Sequence, residues 1–180
     1  GEDEIVLAAH RQLLTARPDA LLVLVPRHPE RFARVHALCI GQGFRTQRHS
    51  ARQPLAAATQ VLLGDTMGEL LAFCGAVDLV FVGGSLVPVG GHNLIEPAAW
   101  AKPVLAGPHL VNFVEVAAGL QAAGGLRLCA DGAALAEAVV ELFDQPERRA
   151  AMGDAAHTVA EANRGALARL LAVIAPLCRW

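Results

Sequence analysis

A chain of 180 residues is long enough for one domain with a substantial core. Apolar residues make up 54% of it and charged residues only 18%, a balance that excludes intrinsic disorder. Its 15 basic and 17 acidic residues give a net charge of −2, which leaves no broad basic face for nucleic acid.

The chain opens on a helix, with Asp3 placed to cap it and Ile5, Leu7, Ala8, Leu13 and Leu14 forming an apolar stripe up to Arg17. Pro18 stops it. Ala20 to Val25 is a short continuous apolar run, as expected of a strand buried on both faces. Pro29 fits the first turn of a helix running to about Gln42. Phe44 to Arg48 reads as a weak strand, residues 50–58 as loop and Gln60 to Leu63 as a strand. The Gly64–Glu69 segment opens a helix to Cys74, with Asp65 or Thr66 as cap and Glu69 completing a capping box. Asp78 to Val82 is a strand, followed by a Gly-rich loop to Gly91 and a helix from about Asn93 to Ala101. Strands at Pro103–Ala106 and Leu126–Cys129 flank a helix over Asn112–Ala123, and Asp131 caps a helix to Phe143. From Pro146 the chain is helical, in two segments meeting near Gly165.

Short apolar strands alternating with helices predict parallel β-α units. With helices on both faces this is an α/β fold, a Rossmann-like doubly wound parallel sheet with extra C-terminal helices. Residues 1–180 form a single domain on this reading. Residues 146–180 pack on it or reach to another, and Ala168, Leu170, Leu171, Val173, Ile174 and Leu177 make an apolar stripe in need of cover. The longest stretch without charge, residues 79–95, carries Gly83, Gly84, Pro88, Gly90 and Gly91, so it is strand and loop and no membrane span. The opening Gly-Glu-Asp-Glu has no Met and reads as a cut end. Cys39, Cys74, Cys129 and Cys178 fit no zinc or redox spacing and read as buried hydrophobes of a reducing cytosol. The histidines form no metal spacing either; His10 and His36, within helices, read as surface or satisfied groups.

Ligands of such folds bind outside the carboxyl ends of the strands. Three segments there carry chemistry. Arg27, after Pro26, can clamp a phosphate or carboxylate, or simply be a solvated arginine in a proline-rich turn. Gly64 and Gly68 let a ligand approach the backbone around Asp65, Thr66, Met67 and Glu69, although helix capping alone accounts for these residues equally well. The third segment, Gly83 to Pro97, is the strongest. Its paired glycines expose backbone amides before a helix N-terminus, an arrangement suited to phosphate. Asn93 and Glu96 share a helix face with His92, and Glu96 can accept hydrogen bonds from ribose hydroxyls. The pattern is neither a P-loop nor a dinucleotide fingerprint. His92 reads as a hydrogen-bond donor to ligand or loop.

These strings resemble the 3-deoxy-D-manno-octulosonic acid (Kdo) transferases of lipopolysaccharide synthesis. The resemblance rests on Gly64-Asp65-Thr66-Met67-Gly68-Glu69-Leu70, Phe81-Val82-Gly83-Gly84-Ser85-Leu86-Val87-Pro88 and Gly90-Gly91-His92-Asn93 with Glu96-Pro97. Pro26-Arg27-His28-Pro29-Glu30-Arg31-Phe32, Lys102-Pro103-Val104 and Gly107-Pro108-His109 continue it, to about residue 165. The resemblance implies the C-terminal, donor-binding half of a GT-B glycosyltransferase. Such enzymes move Kdo from CMP-Kdo to a lipid A precursor with inversion, without a metal on the nucleotide and without a cofactor. Pro26 and Arg27 would contact the cytosine and phosphate region, Met67 the base and ribose pocket, with Asp65, Thr66, Gly68 and Glu69 around it. Gly90, Gly91, His92 and Asn93 would hold the phosphate and donor sugar and Glu96 the ribose, with Gly84 and Ser85 also counted among the substrate-binding residues. The general base of the family is a glutamate of the N-terminal half, so no catalytic residue is expected here and this chain alone should be inactive. The acceptor site and membrane anchor belong to that half too, which places the parent protein at the cytoplasmic face of the bacterial inner membrane and leaves this portion soluble. Two other readings stay open on the residues: a GT-B enzyme using a UDP-sugar, either transferase or epimerase, and a non-enzymatic Rossmann-like interaction module.

Overall fold

The computed structural model describes residues 1–177. Cys178 lies outside the described residues, as do the side chains at positions 168 and 177 of the expected apolar stripe. In chain order the elements are α1 (Glu2–Ala16), β1 (Leu22–Leu24), α2 (Phe32–Gly41), β2 (Thr46–Arg48), β3 (Val61–Leu63), α3 (Leu70–Ala76), β4 (Val80–Val82) and α4 (Ile95–Ala98). β5 (Val104–Ala106), α5 (Val114–Ala123), β6 (Leu126–Leu128), α6 (Gly132–Asp144), α7 (Pro146–Asn163) and α8 (Ala166–Ile174) follow. Single 3-10 turns at Pro29–Arg31 and His49–Ala51 occupy the start of the second expected helix and of the expected loop.

The parallel α/β architecture is as expected, but its hydrogen bonding is divided. β1 and β2 both pair with β3, and β4 and β6 both pair with β5, giving two three-stranded parallel sheets in the orders β1-β3-β2 and β4-β5-β6. No ladder joins β1 to β4 among the described residues. Burial follows pairing. All three residues of β5, a central strand, are fully buried, whereas all three of β1 are half-buried.

Helix α1 ties the two sheets together. Leu7 packs with Val35, Cys39, Phe44, Val61 and Leu63 over the first sheet. Ala9, two positions on, packs with Leu105, Leu135, Ala138 and Leu142 over the second. The alternation of a strand puts Val104 and Ala106 on the opposite face, where they meet Leu94, Leu120 and Ala156. The second sheet is thus covered on both sides. Asp131 caps α6 as expected, its carboxylate accepting from the Ala134 amide at 2.9 Å. At α1 the cap position belongs to Gly1, and Asp3 lies inside the first turn, where it pairs with Arg31.

α7 packs against α4 and α5. On α8, Leu170, Leu171, Val173 and Ile174 are exposed, as the apolar stripe predicts for a helix without cover. Among the described residues, no helix is long and apolar enough to cross a membrane, and no group of side chains is placed to hold a metal ion. Cys39, Cys74 and Cys129 are buried free thiols, with burial pushing each pKa up.

His10 is buried, not on the surface. Its Nε2 donates to the Gln60 carbonyl at 2.9 Å and its ring lies 5.6 Å from that of Phe44. Burial lowers its pKa, Arg11 adds to the effect and the Gln60 bond opposes it. The unfolded chain therefore takes up a proton near pH 6.5 that the folded chain resists, so stability falls as pH drops below that value. The urea midpoint should be lower at pH 5.5 than at pH 7.5. His10→Gln, which keeps a donor for Gln60 but does not titrate, should flatten the slope; an unchanged slope would assign it to other groups.

Candidate functional site

The three segments singled out in the sequence lie at one edge. β1 and β3 are parallel neighbours, so Pro26 and Arg27 leave the sheet beside Gly64–Glu69, and the Gly64 amide donates to the Leu24 carbonyl at 2.8 Å. Val25 packs so closely that a Cβ on Gly64 would lie 2.9 Å from its Cγ2. The Gly-rich loop follows β4. Arg27 bridges to it, with Nη1 2.9 Å from His92 Nδ1. A guanidinium only donates, so Nδ1 accepts and the proton of the neutral ring sits on Nε2. Burial lowers the His92 pKa, the neighbouring Arg27 cation lowers it further, and Glu2 opposes both. His92 is a neutral donor-acceptor ring held by an arginine.

The loop's glycines are required by its path. Gly84 and Gly91 have φ of +70° and +80°, and the Gly91 amide donates to the Gly84 carbonyl at 2.7 Å, closing the loop on itself. Gly90, at φ +108°, backs onto Asn112, whose Nδ2 would be 2.4 Å from any Cβ placed there. The Asn112 amide in turn donates to the Gly90 carbonyl at 3.2 Å. The loop after β5 is thereby part of the same assembly.

Helix α4 is shorter than expected. It begins at Ile95, so His92 and Asn93 precede it and do not share a helix face with Glu96. The reason is Asn93: its Oδ1 accepts from the Ile95 amide at 3.0 Å, a local turn that replaces another helical residue. Glu96 lies in the first turn of α4, half-buried, near enough to Cys74 for its charge to help raise that thiol.

The Asp65–Glu69 segment divides into two uses. Asp65 faces inward. Its carboxylate accepts from Arg48 Nε at 2.6 Å, from the Ser50 amide at 2.8 Å and from the Ser50 hydroxyl at 2.6 Å. Burial alone would raise its pKa, but these donors outweigh burial and hold the carboxyl below its usual range. Its side chain braces β2 and the following turn. The expected capping box does not form, and α3 begins only at Leu70. Thr66 donates instead to the Glu69 carboxylate, which also binds Arg52 at 3.1 Å and lies 3.2 Å from His49. The Thr66 bond, followed by Arg52, keeps Glu69 ionised below its ordinary pKa. Met67 is 64% exposed at the tip, and Gly68, at φ +79°, turns the chain beneath it.

Ser85 also faces inward. It is fully buried, donating to the Val82 carbonyl at 2.6 Å and accepting from the Gly107 amide at 2.8 Å. No motif marks Glu2, 82 positions from Gly84, as a partner of this loop. Its carboxylate accepts from the Gly84, Ser85 and Leu86 amides at 2.5, 3.0 and 2.7 Å. A groove of about 460 Å³ between α1 and α6, lined by Thr15, Val140 and Asp144 among others, shares no residue with these loops. At the Gly-rich edge Gly84, Gly90 and Gly91 are buried, His92 is half-buried, and Arg27, Met67 and Asn93 are exposed.

No protein-family model matches the sequence. Curated relatives do. A 3-deoxy-D-manno-octulosonic acid transferase of Haemophilus influenzae is 46% identical over 98% of this chain and 42% of its own length. One from Bordetella pertussis is 39% identical over 95% of this chain and 41% of its own length. The chain thus spans about two fifths of the relatives it matches. The crystal structure of the C-terminal CMP-Kdo binding domain of WaaA from Acinetobacter baumannii superposes with a TM-score of 0.84 at 32% identity. That match covers 88% of this chain and 83% of the other. Likeness in both sequence and fold, over nearly the whole chain, shows that the protein belongs to the 3-deoxy-D-manno-octulosonic acid transferase family.

Proposed function

We propose that this chain is the donor-binding half of a GT-B glycosyltransferase that moves Kdo from CMP-Kdo to a lipid A precursor in lipopolysaccharide synthesis. The observation that carries this reading is the Arg27–His92 pair, which joins the loops after β1 and β4 at the carboxyl edge where such folds bind ligand. CMP-Kdo brings a phosphate and a carboxylate. A permanently charged guanidinium against a neutral histidine with a free Nε2–H suits such an anion, and stabilises the CMP phosphate as it departs. On this reading Gly90, Gly91, His92 and Asn93 surround the phosphate and sugar, Glu96 the ribose, and Pro26, Met67 and Gly68 the base. Asp65, Ser85 and the Thr66–Glu69 pair act as scaffold, because their side chains are already bonded within the protein.

The relatives are more than twice as long as this chain, and we assign the catalytic base, the acceptor site and the inner-membrane anchor to the remainder. The exposed face of α8 fits a helix that crosses to that remainder. The chain alone is expected to bind CMP weakly and to transfer nothing. At 100 times its Kd, CMP should stabilise the fold by about 2.7 kcal/mol, a thermal shift that UMP does not match. Glu96→Ala should abolish the shift. A chain that stays folded and shows no shift with millimolar CMP would refute the proposal.

A further inference from the structure

The Gly83–Leu86 turn is an anion nest, three successive backbone amides aimed at one carboxylate, Gly84 at its Oε2 and Ser85 and Leu86 at its Oε1. A phosphate is the expected occupant of such a nest, yet here it is filled from within by the Glu2 carboxylate, which takes all three amides. Gly83 allows this approach, since its Cβ would lie 3.0 Å from Glu2 Oε2. The same turn lies against His92, whose Nε2 is 3.1 Å from where a Cβ on Gly84 would sit. Glu2 is thus bonded to the loop on which His92 rests, and its charge acts on the ring.

We propose that Glu2 is a positioning residue of the donor site: it fixes the Gly84–Leu86 turn and shuts the donor's anion out of the nest, so that the anion is received by Arg27 and His92. The proposal rests on the donor-binding reading above. It explains why the most phosphate-like turn of the sequence is not free to bind phosphate. The carboxylate accepts three charge-assisted hydrogen bonds, and an amide side chain, with one acceptor oxygen and an NH2 facing other donors, cannot replace it.

The test uses the 180-residue chain, CMP as titrant and the variants Glu2→Gln and Glu4→Gln. Glu4 lies in the same first turn, so it controls for loss of charge at the helix start. Glu2→Gln should weaken CMP binding by about tenfold or more, while Glu4→Gln leaves it unchanged. Histidine NMR supplies a readout that a purely structural role would not move. Arg27, Glu2 and His28 are the charged and titratable groups acting on His92. Removing the Glu2 charge should lower the His92 pKa further, even where the melting temperature is unchanged. Unaltered CMP affinity with an unaltered His92 titration would overturn the proposal. So would tighter CMP binding in Glu2→Gln, which would mean that the ligand enters the vacated nest. An unmodified chain that does not bind CMP would overturn the donor reading itself, an outcome distinct from these two.

Discussion

Replacing Gly107 by alanine should destabilise the protein by several kcal/mol and remove CMP binding with it. Gly107 follows β5 directly, at the point where the strand runs under the Gly-rich loop. A Cβ there would lie 2.2 Å from the Ser85 oxygen, 2.3 Å from its carbonyl carbon and 2.5 Å from the Leu86 nitrogen. All three are backbone atoms, so no side chain can swing aside. The surrounding bonds hold that backbone from several directions. Ser85 Oγ joins the Gly107 amide to the Val82 carbonyl, the His109 amide donates to the Ser85 carbonyl at 2.9 Å, and Glu2 holds the Ser85 and Leu86 amides. A movement that admits the methyl group must break several of these at once. Ser85→Ala provides a graded comparison. It leaves a buried amide and a buried carbonyl short of a partner and should cost about 1–3 kcal/mol without the steric clash. Urea unfolding of both variants, beside a CMP titration, checks the order. A Gly107→Ala protein with an unchanged midpoint would contradict the packing described here.

The same locality explains what could be read from the sequence. Proline and glycine punctuation placed every strand to within a few residues, because a short apolar run between turn signals leaves few options. Asp131 was legible as a cap because a cap is formed three residues away, here on Ala134. The arrival of Arg27, Gly64–Glu69 and Gly83–Asn93 at one edge followed from the parallel fold alone. The failures involve choices between a local bond and a distant one. Asp65 had a local cap available and took Arg48 and Ser50 instead, 17 and 15 positions away. Thr66 and Glu69 bonded each other's side chains rather than the helix amides. Asn93 turned the chain and shortened α4. The division into two sheets depends on whether β1 and β4 pair, which no periodicity within either strand reports. Glu2 left no trace, since an acidic residue in a first helical turn is ordinary and its partners lie over 80 residues on.

Arg27→Ala should weaken ligand binding strongly while leaving the fold intact. The side chain is at the surface and its hydrogen bond to His92 is an exposed one, so its removal should cost little stability. Its loss acts on binding in two ways. It deletes the permanent cation that would face the CMP phosphate, and it releases His92 Nδ1, so the ring can rotate or exchange tautomers and Nε2 no longer presents a fixed donor. Charge-assisted contacts of this kind contribute about 1.5–3 kcal/mol each, so CMP affinity should fall by about tenfold to a hundredfold. Arg27→Lys separates charge from shape: the ammonium keeps the cation, but as a point charge it cannot direct one N–H at His92 and a planar fork at phosphate. It should restore only part of the affinity. The His92 titration gives the independent sign. Arg27 is one of the causes that depress the pKa, so it should rise in Arg27→Ala, opposite to the fall expected for Glu2→Gln. If both substitutions moved it in the same direction, the two charges would not flank the ring as the structure places them, and the donor anion would have to be received elsewhere on this edge.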